Sequence, residues 1–168
     1  VTSIPALLLY DPVLNDPNYI VGAGADTRVF LGAFLELVLI IANIGTALAL
    51  FPILKRQSEG LALGYVTARV LESVFIAVGI ISLLSVVTLR QDAAGADADS
   101  LVAIGQSLVA IHDWTFLLGP GFVVGVGNGL LLGYLMYRSG LVPRRMAVLG
   151  LVGGPLVCAS GIVVMFGG

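Results

Sequence analysis

The chain has 168 residues; 58% are hydrophobic, 11% are charged, 22 are glycine, and the formal net charge is −2. Soluble domains carry roughly 25% charged residues, and a water-soluble fold of this size cannot hide so much apolar surface. A soluble enzyme and a disordered chain are therefore excluded, and no basic patch points to nucleic acid.

A mean hydropathy of +1.07 predicts an all-α, polytopic transmembrane helix bundle, with four complete spans, the end of a fifth and one short interfacial helix. The opening VTSIPALLL is apolar but too short to cross a bilayer, which takes about 20 helical residues. No charged region precedes it, so it is not an intact signal peptide. It reads as the end of a helix whose start is not present. Tyr10 to Arg28 then reads as a polar loop, with Asp11, Pro12, Asn15, Asp16, Pro17 and Asp26. Its Gly22-Ala23-Gly24 has no strand before it, so it reads as plain loop and not as a phosphate cradle.

The first complete span is Val29 to Leu54. Glu36 and Asn43 are its strongly polar residues, and Pro52 sits near its end, where a missing donor costs least. A short connector, Lys55 to Gly60, leads to a second span, Leu61 to Leu89. That span is about 43 Å long as a helix, more than the ~30 Å hydrocarbon core, so tilt or an extension into water is expected. It carries Arg69 and Glu72. The loop Arg90 to Ser100 is acidic, with Ser100 expected as the next helix N-cap.

Two layouts compete in the following region. Either Leu101 to Leu118 spans and turns at Gly119-Pro120-Gly121, or Leu101 to Ile111 is a short interfacial helix and Trp114 to Tyr137 spans. The second keeps His112 and Asp113 at a membrane surface. It also places Trp114 at one interface and Tyr134, Tyr137 and Arg138 at the other, an aromatic belt at both. It is the layout expected here. Met146 to Gly168 is the last span. Lys55, Arg56, Arg138, Arg144 and Arg145 then share the cytoplasmic side of a prokaryotic plasma membrane, with loops 10–28 and 90–100 outside. Residues 1–168 read as one bundle domain, cut at both ends.

The clearest pattern is structural. Gly121, Gly125, Gly129 and Gly133 recur every four residues, and Gly150 and Gly154 repeat that spacing on the last span. Glycine lets helix backbones approach closely, and in lipid such packing replaces the missing hydrophobic drive. The partner is expected within the chain. A second copy or other membrane subunits are the alternative, beside the lipid bilayer itself.

The polar residues inside spans are the candidate ligand- or ion-binding residues: Glu36, Asn43, Arg69, Glu72, His112, Asp113 and Asn128. An ionisable group in hydrocarbon costs at least about 2.5–3.5 kcal/mol, so such residues face a bundle interior and pair. Arg69 and Glu72 stand three apart on one helix face and can pair directly. At 1.5 Å per residue, Asn43 and Asn128 each lie about 21 Å below the outer end of their spans, and Glu72 about 16 Å above the inner end of a longer one. Both asparagines are therefore expected to complete the shell of Glu72. Glu36 has no basic residue beside it on its own helix, and lies closer to the level of His112 and Asp113.

No catalytic triad and no paired-histidine helix is legible. The single Cys158 has no partner for a disulfide. No cofactor is implied. No spacing demands a metal, although Glu36, Glu72 and His112 are of the right types to bind one.

The segments LYDPVLNDP, ELVLIIANIGTALALFPILKRQSE, GYVTARVLES, HDWTFLLGPG and GLLLGYLMYRSGLVPR resemble the DUF4386 group of prokaryotic membrane proteins. The resemblance covers nearly the whole chain and is most specific from His112 to Arg144. It implies a bundle of about six spans and carries no reaction or substrate. The expected role is to bind or move a small ligand, ion or proton through the buried polar residues. The alternatives are an intramembrane enzyme using Glu36 with His112 or Asp113 as acid–base groups, and a structural subunit docked through the glycine face.

Overall fold

The computed structural model describes residues 3–22, 26–92 and 97–167. Ala23 and Gly24 of the glycine loop, and 93–96 of the acidic loop, lie outside the described residues. Helices run over Ser3–Asn15 (α1), Asp26–Leu54 (α2), Glu59–Gln91 (α3), Ala98–Phe116 (α4), Gly133–Ser139 (α5) and Arg144–Met165 (α6). Between α4 and α5 the chain stays helical in two π-helical stretches, Leu117–Val123 and Gly125–Leu132. Ala98–Ser139 is thus one uninterrupted helix, and with Asp26–Leu54, Glu59–Gln91 and Arg144–Met165 it makes four helices long and apolar enough to cross a membrane.

Several expectations are corrected. Tyr10 to Asn15 belongs to α1 and Asp26 to Arg28 opens α2, so the first polar loop is shorter than expected. Pro12 sits inside α1 and frees the Leu8 carbonyl, because it has no N–H to donate there. The Arg28 guanidinium Nη2 donates to that carbonyl at 2.8 Å. No separate interfacial helix ends at Ile111, and no hairpin turns at Gly119–Gly121. Breaking a helix in hydrocarbon strands backbone groups without water to satisfy them, so the chain absorbs Pro120 and its glycines as wider π turns. Asp97, not Ser100, caps α4: its carboxylate accepts the Ser100 N–H at 3.0 Å and the Ser100 hydroxyl at 2.7 Å. That local bonding holds the exposed Asp97 carboxyl below the usual range.

The contacts group the chain into two compact units, residues 1–40 with 76–115, and residues 41–75 with 116–168. In the first, α1, the front of α2, the end of α3 and α4 enclose Tyr10, Val13, Ile20, Val29, Leu83 and Val87. A polar clasp closes its loop: Arg90 pairs with Asp26 and donates to the Gly22 carbonyl, while Tyr19 donates to Asp26 at 2.9 Å.

The second unit is built on glycine. A Cβ at Gly129 would lie 2.4 Å from Gly154 Cα, and one at Gly125 would lie 2.6 Å from Cys158 Sγ. Gly133 and Gly150 sit in the same seam between this helix and α6. The glycine face is therefore filled from within the chain. Gly121 is the exception: its nearest neighbour is the Phe116 carbonyl of its own helix. Gly119 and Gly127 serve the opposite face, where they receive Phe75 and Ala68 of α3. Beyond the seam, α6 leaves large apolar side chains bare, with Leu149 74% and Leu156 64% exposed, as lipid contact requires.

Candidate functional site

Each unit holds one buried polar constellation. In the second unit, Arg69 and Glu72 lie one turn apart on α3, and each is under one-tenth exposed. Arg69 Nη1 pairs with Glu72 Oε2 at 2.5 Å. Asn43 Nδ2 donates to Glu72 Oε1 at 3.1 Å, and Arg69 Nη2 donates to Asn43 Oδ1. Three side chains thus close a neutral ring in which both carboxylate oxygens are satisfied. Ser73 bonds back to the Arg69 carbonyl.

Asn128 was expected in that ring and makes no hydrogen bond to Glu72. It lies in the second π-helical stretch, and its buried Oδ1 has no hydrogen-bond partner among the described residues. Matching depth along two helices does not match their rotation, and the π turns alter the face on which residue 128 falls.

The first unit holds the other constellation. Glu36 is 5% exposed, and its partner is Tyr10, which donates from its hydroxyl to Glu36 Oε2 at 2.9 Å. No ion pair reaches Glu36 among the described residues. The Tyr10 ring lies across Gly32 of α2, where a Cβ would come within 2.6 Å of it. The phenol then extends one turn to Glu36. On its other side, Tyr10 meets the His112 imidazole edge-to-face, with centroids 5.8 Å apart at 79°.

His112 is buried, and it sits over Gly79 of α3, whose added Cβ would stand 3.3 Å from the imidazole Cδ2. This is not the surface position expected of it. Its neighbour Asp113 is the exposed one, with 68% of its side chain accessible, and its Oδ1 lies 3.6 Å from His112 Nδ1. Thr115 donates to the His112 carbonyl at 2.8 Å.

Sequence reading missed Tyr10, which a loop assignment concealed. It also missed Gly79, and that Gly32, which shares the helix face of Glu36, makes room for an aromatic ring. The available signal was Gly32 one turn before Glu36, a flat spot beside a buried carboxylate. Among the described residues no group of three or more His, Cys, Asp or Glu is arranged to hold a metal.

Long apolar helices with ionisable groups turned inward define a multi-pass helical membrane protein. The chain belongs to the family described as Domain of unknown function (DUF4386), whose profile matches residues 1–167. No curated protein and no solved structure matches it.

Proposed function

We propose that the protein binds and moves a proton through Asp113, His112, Tyr10 and Glu36. One observation carries this reading: Tyr10 touches both the buried Glu36 carboxylate and the His112 ring, and His112 stands beside an exposed carboxylate. A group that lies in hydrocarbon without a counter-ion marks a functional position by default. A proton reaching Asp113 passes to His112 Nδ1, across a gap of 3.6 Å that a small rotation closes. The imidazolium, whose ring meets Tyr10 edge-on, then returns a proton to the Tyr10 oxygen by way of a water, as the phenol gives its own proton to Glu36. The net change is one proton moved from Asp113 to Glu36, with His112 and Tyr10 left neutral, and its release from Glu36 towards the opposite face completes one transfer and resets the path.

In the Arg69–Glu72–Asn43 ring the two charges pair with each other, with Arg69 Nε the one buried donor left over, and we assign the ring to holding the second unit together. The enzyme reading uses the same Glu36 and His112, and the hydroxyls beside them, of Tyr10 and Thr115, are engaged with Glu36 and with the His112 carbonyl. The subunit reading is the less supported one, since Gly125 and Gly129 of that face already meet α6, although Gly121 meets no other helix. We place the protein in a prokaryotic plasma membrane, with loops 55–60 and 138–145 cytoplasmic.

The test is proton flux into vesicles that carry the full chain and an entrapped pH-sensitive dye. Wild type should dissipate an imposed pH gradient, and Glu36→Gln should slow it to the rate of empty vesicles. Equal rates for wild type and Glu36→Gln would end the proposal.

A further inference from the structure

A cleft of about 170 Å³ opens between α1, the loop after it, α3 and α4. Val13, Ile20, Val86 and Val109 form its apolar wall, and Asp16 and Asp113 are its acidic groups. No Lys, Arg or His lines it. The cleft is not filled by the chain's own side chains, and its two charges have one sign. We propose that it binds a small primary amine in its protonated form, the apolar body on the valine wall and the ammonium at Asp113.

Size and charge together select this ligand. A cavity of about 150 Å³ with apolar walls accommodates benzene, so an aromatic ring with one aminomethyl group suits this volume. An ammonium–carboxylate hydrogen bond, shielded on one side by apolar wall, is of the stronger kind. A phospholipid headgroup also offers an ammonium. Its phosphate would then lie against two carboxylates with no basic residue in the lining, so a free amine is the favoured source. Asp16 already accepts the Asn18 N–H at 2.9 Å, which leaves Asp113 as the main anchor. The proposal goes beyond the proton reading and does not depend on it, although both use Asp113.

Calorimetric titration of the full chain in detergent micelles tests it, with benzylamine as the probe and benzyl alcohol as its neutral counterpart. Benzylamine should bind wild type about tenfold more tightly than benzyl alcohol, since each tenfold corresponds to about 1.4 kcal/mol. Asp113→Asn should remove about that factor, and Asp16→Asn should cost only about twofold, since one of its oxygens already accepts the Asn18 N–H. Ala110→Phe, a change at an exposed cleft position, should abolish binding and so separates the cleft from partition into the micelle.

Glu36→Gln should bind benzylamine as wild type does. If Glu36→Gln retains amine binding and also retains proton flux, the proton reading fails and the cleft stands. Equal affinity for amine and alcohol overturns the proposal, as does unchanged binding in Asp113→Asn or Ala110→Phe.

Discussion

At the scale of single residues, the two buried carboxylates differ in kind. Glu72 is held by a guanidinium and an amide, Glu36 by a phenol. Glu72→Gln should leave Arg69 as a buried charge without its counter-ion and lower stability by about 3–5 kcal/mol. The double change Arg69→Met with Glu72→Met should recover much of that loss, measured by thermal unfolding in micelles. A double variant no more stable than Glu72→Gln would mean that the pair does more than hold the fold. The Arg69–Glu72 pairing was legible in the sequence because three residues on a helix is a local distance. The Tyr10–Glu36 bond was not, because its partners lie 26 residues apart and only packing brings them together. Tyr19 supplies a pH signature outside the spans. Burial raises its phenol from 10.0 to about 12, with the hydrogen bond to Asp26 and the Asp26 charge adding to this and Arg90 opposing it. A raised acid favours the folded state while it is neutral. Its contribution is therefore complete below pH 10 and is lost as pH rises towards about 12. A phenolate absorbance titration should lose one late-titrating tyrosine, near pH 12, when Tyr19 is replaced in Tyr19→Phe; a titration curve unchanged by that substitution would refute this.

At the scale of elements, the helix Ala98–Ser139 differs most from expectation. Gly119-Pro120-Gly121 carries the sequence signature of a turn, and in water it would be one. In lipid the backbone groups it would expose have no other partner, so the helix widens into π turns instead. A true stop comes only at Gly140, whose φ of +68° ends α5 in the left-handed region that glycine enters without strain. The four-residue glycine spacing indicated close helix contact correctly, but it could not say which glycines meet which helix. The structure uses opposite faces for Gly125 and Gly127. Gly129→Leu should unfold or splay the seam with α6, because a Cβ alone already collides with Gly154. Gly153→Leu should be tolerated, since nothing lies within 4 Å of its added Cβ. Melting temperatures that fall equally in both variants would show that the seam is not the contact that matters.

At the scale of the whole molecule, four long apolar helices account for the composition, and their connectivity yields a topology to test. Arg56 and Arg144 should be labelled from one side of the membrane and Asp97 from the other, when each is replaced by cysteine in a background with Cys158→Ala. Labelling of positions 56 and 144 from opposite faces would overturn the assigned sidedness. Composition and periodicity by themselves determined the class, a helical membrane protein, the positions of its long apolar helices and that glycine lets some of them pack closely. The reason is that hydropathy and helical repeats are local, additive properties of the chain, and a bilayer leaves the backbone few alternatives to a helix. Only the tertiary structure decided that Tyr10 and not a basic residue faces Glu36, that His112 is buried while Asp113 is exposed, and that Asn43 rather than Asn128 completes the Arg69–Glu72 ring. Each of those depends on the rotation of one helix against another. That rotation is set by which small residues let the backbones meet, a property of pairs of helices that no single segment contains.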